Sequence, residues 1–156
     1  MVSKNKAQAK INDSHELIQL SCFYLDDTLF GVDINLVQEI NEDLTITRVP
    51  TSPDYVLGIM NLRGQIVTVI DQAKKIGFNS PGITNDSRVI IVKSQNESIG
   101  LLVDRVTEVI TVSKGAIDAS PSNIKGVHGK FFQGVIQTES HELLALLDVE
   151  TVLDEE

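Results

Sequence analysis

Apolar residues in this chain recur in short runs separated by polar turns, and the runs favour β-branched and aromatic side chains. Leu17–Leu25 predicts a first strand, Asp26-Asp27-Thr28 a turn built on short polar side chains, and Leu29–Ile34 the returning strand. Val37–Ile40 suits either one short helical turn or the start of another strand. Leu44–Val49 predicts a strand, ended by Pro50 and Pro53, which cannot donate ladder hydrogen bonds. Val56–Leu62 and Gln65–Asp71 form the clearest hairpin, with Arg63-Gly64 between them and a glycine free to take positive φ. Gln72–Ile76 predicts a brief helix and Asn79–Asp86 a loop. Arg88–Lys93 and Ser98–Val112 predict another hairpin across Ser94–Glu97. Ser113–His128 is expected to be mostly loop with a helical turn, Gly129–Thr138 and Leu143–Asp148 the last strands, and Val149–Leu153 a closing short helix. Residues 1–14 are polar, lack periodicity and are expected to be a flexible segment, and 154–156 an acidic tail.

The same pattern occurs twice. With Gly31 set over Gly100, Val32, Ile34, Val37, Glu39 and Ile40 fall on Leu101, Val103, Val106, Glu108 and Val109. With Gly58 set over Gly134, Val67, Val69, Ile70 and Asp71 match Leu144, Leu146, Leu147 and Asp148 after one extra residue in the second turn. Such self-similarity implies two like units, each too small to bury much core alone. Short strands with short connections favour two small packed barrels over one open sheet, and closure removes the exposed edges on which strands aggregate. The expected fold is all-β, with subdomain limits near 30–80 and 85–150 inside a domain spanning 15–153.

Composition narrows the function. A chain of 156 residues with 42% hydrophobic content can fold without staples. Thirteen basic residues face 22 acidic ones, and the net charge of −9 repels nucleic acid and anionic lipid. The only basic cluster is Lys4, Lys6 and Lys10 in the N-terminal stretch. The single cysteine, Cys22, lies in an apolar run, which predicts a buried thiol in a reducing compartment. No signal peptide or membrane span is visible, so a cytoplasmic location is expected.

A search for catalytic chemistry finds no constellation. The chain carries no phosphate-cradling glycine loop and no Gly-x-Ser-x-Gly elbow. His15, His128 and His141 have no metal-ligand spacing among themselves or with Cys22. Asp71 and Asp148 end two strands, where capping of the following helices is favoured over acid–base work. The remaining feature is Asn61-Leu62-Arg63-Gly64. It reads equally as a well-made turn with an incidental arginine or as a recognition element on a rigid support, with Glu39 as a possible partner.

Three stretches carry a family resemblance. Val32-Asp33-Ile34 with Val37-Gln38-Glu39-Ile40 and Ile46-Thr47-Arg48-Val49-Pro50 resembles the first half of CheW-type chemotaxis coupling proteins. Val56–Val67, containing the Asn-Leu-Arg-Gly motif, looks like that family's most diagnostic stretch, and Ile99–Val106 is similar to its second-half signature. The resemblance runs from about Leu17 to Leu153. It implies two five-stranded SH3-like β-barrel subdomains around a shared core, with no catalytic activity, metal or cofactor. It implies an adaptor that bridges the cytoplasmic tips of methyl-accepting chemoreceptors to the regulatory domain of the CheA histidine kinase within receptor arrays. By the same resemblance, Val37, Glu39, Gly58, Arg63, Val89, Gly100, Val106 and Val109 fall at positions associated with receptor and kinase binding. Thr68 stands where the family usually has proline, and Gln72-Ala73 replaces its usual Leu-Arg. These departures bear on partner choice and leave open a paralogous pathway, such as twitching motility or gene regulation. A small-ligand-binding barrel is the remoter alternative, and the sequence offers no titratable cluster to build its pocket. Almost nothing follows Leu153, so a fused receiver of the CheV type is not expected.

Overall fold

The structure, a computed structural model, describes residues 15–124 and 126–154; the expected flexible segment 1–14 lies outside them. Twelve strands are present among these residues, β1 (Leu17–Leu25), β2 (Thr28–Asp33), β3 (Val37–Asn41), β4 (Val56–Leu62), β5 (Gln65–Asp71), β6 (Arg88–Ser94), β7 (Glu97–Val103), β8 (Arg105–Ser113), β9 (Asn123–Ile124), β10 (Val127–His128), β11 (Phe132–Gln137) and β12 (Leu143–Leu147). Two short helices, α1 (Gln72–Ile76) and α2 (Val149–Leu153), follow β5 and β12. Each is capped by the predicted aspartate: Asp71 Oδ1 accepts from the Lys74 N–H at 3.3 Å and Asp148 Oδ1 from the Thr151 N–H at 3.2 Å.

The strands form two five-stranded sheets, in the orders β11-β12-β2-β1-β8 and β3-β6-β7-β5-β4, and a small β9–β10 ribbon. The expected all-β fold of two SH3-like barrels is present. The sheets do not follow the expected limits near 30–80 and 85–150: one takes residues 17–33 and 105–147, the other 37–103. The β1–β2 hairpin from the first half therefore completes the second half's barrel, and β6–β7 completes the first half's. Parallel pairs join the exchanged pieces, β2 beside β12 and β5 beside β7.

This arrangement explains the near-continuous apolar runs. Along β6, Val89 and Ile91 point into a cluster confined to the second barrel, while Ile90 and Val92 point into a layer shared by both barrels. Along β12, Leu144 and Leu146 fill the first barrel while Ala145 and Leu147 face the shared layer. Successive side chains leave a strand on opposite faces, so burial of both faces makes every position apolar. At the centre of the shared layer Phe30 packs on Phe23, Phe78 and Phe132, with ring centroids 5.8, 5.6 and 5.8 Å away.

Several boundaries differ from the sequence reading. Val37–Asn41 is a strand, not a helical turn, because the one 3-10 turn there is used earlier, at Ile34–Leu36. Thr28 belongs to β2, leaving Asp26-Asp27 as the turn. The expected strand Ser98–Val112 breaks at Asp104, where the chain passes from one sheet to the other. Within Ser113–His128 the loop contains β9, β10 and a 3-10 turn, and a further 3-10 turn at Gly129–Phe131 delays β11 to Phe132.

The expected strand Leu44–Val49 is not one: only Thr47 pairs, exchanging two backbone hydrogen bonds of 2.8 Å with Ile59. That single bridge closes the second barrel, joining the chain leaving edge strand β3 to edge strand β4. Asp118, leaving β8, pairs with Val135 of β11 in the same way and closes the first. The repeat glycines lie here. A Cβ on Gly134 would sit 2.5 Å from the Asp118 carbonyl oxygen, and one on Gly58 would collide with that of Thr47.

Cys22 is buried in the first barrel, and its burial pushes the thiol from an ordinary value of 9.0 to about 11. A hydrogen bond with the Ile110 backbone opposes the shift and Glu108 adds to it. Native protein is expected to resist a thiol reagent at pH 8 and to label fully in denaturant; rapid native labelling would contradict the burial. Burial disfavours the thiolate only in the folded state. This contribution to stability is complete below the unfolded value and declines from about pH 9 to about pH 11, as the folded thiol finally ionises.

Candidate functional site

The β4–β5 connection is a two-residue turn in which Arg63 (φ 54°) and Gly64 (φ 85°) both adopt positive φ, the geometry that matches strand twist. The Asn61 side-chain oxygen accepts the Gly64 N–H at 2.8 Å and fixes the turn. The turn thereby projects the arginine from the end of a stiff hairpin.

Arg63 forms an ion pair with Glu39. Arg63 lies next to β4, and Glu39 on β3, the two opposite edges of the open sheet order. The pair therefore spans the closed seam of the second barrel, and the suggested partnership is present. With side chains 76% and 27% exposed, the pair adds only about 0–1 kcal/mol to stability. The Arg63 guanidinium remains largely available to an outside group, and Glu39 only in part.

The other residues fall into two sets. Val37 and Val106 are half-buried and pack against the shared layer, one on β3 and one on the equivalent strand β8. Beside Val37 the Ser98 hydroxyl donates to the Gln38 side-chain oxygen at 2.7 Å, tying β7 to β3. Val109 is exposed on β8. Gly58, Val89 and Gly100 are buried; a Cβ on Gly100 would lie 2.7 Å from Val89 Cγ1, so these positions set the shape of the second barrel. Arg63 and Glu39 are brought together, whereas Val106 and Val109 stand on the other barrel.

Sequence reasoning named Val109 but missed the exposed apolar positions that accompany it on both barrels. Ile40 on β3 matches Val109 on β8 in the repeat, and Ile66 on β5 matches Leu143 on β12. All four are exposed, Ile66 at 60% and Leu143 at 53%. The repeat register was the available signal, since it superposes these residues, but periodicity cannot tell an exposed edge from a buried face. At the first barrel's mouth, the Tyr24 hydroxyl donates to Glu142 at 2.7 Å, and this hydrogen bond holds the phenol above its usual range. The Arg105 guanidinium lies 4.0 Å over the Tyr24 ring and acts in the opposite direction. Asp104 is raised chiefly by its own burial, against the Asp26 N–H it accepts at 2.5 Å. No group of three or more metal-ligating side chains occurs among the described residues. No helix among them is long and apolar enough to cross a membrane.

These features define a two-barrel SH3-like protein, and comparison places it more narrowly. The family model for the CheW-like domain matches residues 19–156. The chain is 31% identical over 152 residues to the chemotaxis protein CheW of Rhizobium meliloti, covering 97% of this chain and 96% of that protein. It is 30% identical over 147 residues to CheW of Helicobacter pylori, covering 94% and 88%. The crystal structure of the scaffolding protein TtCheW from Thermoanaerobacter tengcongensis superposes with a TM-score of 0.81 at 32% identity, covering 89% of each chain. The chain belongs to the CheW family and is a chemotaxis adaptor.

Proposed function

We propose that this adaptor holds the cytoplasmic tips of methyl-accepting chemoreceptors against the regulatory domain of a CheA histidine kinase, and that it does so at receptor arrays on the cytoplasmic side. The observation that carries this reading is the Arg63–Glu39 pair on the rim of a rigid barrel seam. An amphipathic receptor helix would lay apolar positions beside Val37 and Val106 and meet the paired charges at the rim. The exposed residues Ile40, Ile66, Val109 and Leu143 offer apolar contact to the kinase's barrels. Gly58, Val89 and Gly100 act through the shape of the barrel, being inaccessible themselves. Signalling in this scheme is a change in how partners are held, and the adaptor supplies geometry without chemistry or a cofactor.

The test is receptor-dependent kinase activation in a reconstituted system. Arg63→Glu is expected to leave the melting temperature within a few degrees of the parent but to cut activation roughly tenfold or more, as for an interface arginine worth about 2 kcal/mol. The swap Arg63→Glu with Glu39→Arg restores the seam but reverses the rim, and is expected to remain defective. Full activation by Arg63→Glu, or rescue by the swap, would defeat this assignment.

A further inference from the structure

At the opposite end of the β4–β5 hairpin from Arg63, about 20 Å away along seven-residue strands, a second site is built from different elements. A pocket of about 440 Å³ lies between Arg48, the loop 49–54 and Lys74 of α1. Three independent observations point to a ligand.

First, Arg48 and Lys74, both exposed, line this pocket from separate elements, and neither has an ion-pair partner among the described residues. Unpaired cations facing one cavity are notable in a chain with 22 acidic and 13 basic residues. Second, two of the loop's carbonyls are engaged from within: the Thr51 hydroxyl donates to the Pro50 carbonyl at 2.7 Å and Ser52 to that of Val49 at 2.8 Å. These carbonyls are therefore engaged by hydroxyls within the loop. Third, Thr51 holds φ 60°, a conformation that a β-branched residue adopts only under constraint, between two prolines that stiffen the wall. Strain of this kind collects where a surface is held ready for another molecule.

We propose that this pocket binds one carboxylate side chain from an acidic segment of a partner protein. The guanidinium fork of Arg48 matches the two oxygens of a carboxylate, and Lys74 adds a point charge. With a net charge of −9 on the chain, attraction for an anion here rests on these two local cations. Asp54, the one acidic residue lining the pocket, sets the strength of binding by repulsion.

The probe is a fluorescein-labelled oligoglutamate peptide, titrated with the full chain at low salt and read by fluorescence anisotropy. Saturable binding is expected, weakened about tenfold by Arg48→Ala and by Lys74→Ala, strengthened by Asp54→Asn, and unchanged by Arg63→Glu. A matching oligoglutamine peptide is expected not to bind. Absence of saturable binding, or equal binding by Arg48→Ala, would overturn the proposal. Displacement of the peptide by equimolar inorganic phosphate would assign the pocket to a phosphate group and overturn the carboxylate assignment.

Discussion

Phe30→Ala is expected to lower the stability of this protein by about 4 kcal/mol. Phe30 is fully buried and touches three other aromatic rings at the meeting of the two barrels. Truncation removes the transfer free energy of a large apolar side chain and leaves a cavity that neighbours on three different segments cannot jointly collapse into. For a domain of this size the melting temperature should fall by about 8–16 °C, measured by circular dichroism. Phe30→Leu, which keeps most of the volume, should cost much less. A fall under about 3 °C for the alanine variant would mean that the inter-barrel layer is not the principal core.

Gly58→Ala is the second large effect, and it acts through the backbone. Gly58 holds φ 149°, and an added Cβ would collide with the Thr47 carbonyl at the bridge that closes the second barrel. Relief requires moving Thr47 and surrendering its two hydrogen bonds to Ile59. The expected loss is about 3 kcal/mol or more, combining backbone strain with the broken closure. It should be seen as a lower urea midpoint, with amide exchange at Thr47 and Ile59 rising more than in β1 or β2. Wild-type stability in this variant would show that the barrel closes without that bridge. Because Gly58 is buried, any accompanying loss of coupling would follow from the altered seam.

Most of the strands were legible in the sequence because burial on both faces writes long apolar runs, as in β5 and β6, and the turns between them carry glycine or short polar residues. The repeat was legible for the same reason. What it could not reveal is which half each hairpin serves: local spacing is identical whether β1–β2 pairs within its own half or crosses to β12 and β8. Leu44–Val49 looked like a strand because its alternation is real, with Leu44 and Ile46 packed on the second barrel's core, yet only Thr47 meets a partner backbone. For the site, the Arg63 turn announced itself through Asn61 and Gly64, and Glu39 through its repetition at Glu108. The Arg48–Lys74 pocket was invisible in sequence, since its two cations lie 26 positions apart (74 − 48) and line one pocket only in the folded chain.

The hairpin exchange has a mechanical consequence. Two lobes that merely touch can slide or hinge when one is pushed, but here the chain crosses between the lobes at Ile34–Leu36 and at Asp104, and both lobes bury side chains in one layer. Parting them would break no strand pair, because β2–β12 and β5–β7 each lie within one sheet, but it would expose the layer around Phe30 to water. A displacement applied at one lobe must therefore arrive at the other almost undiminished, as through a welded joint.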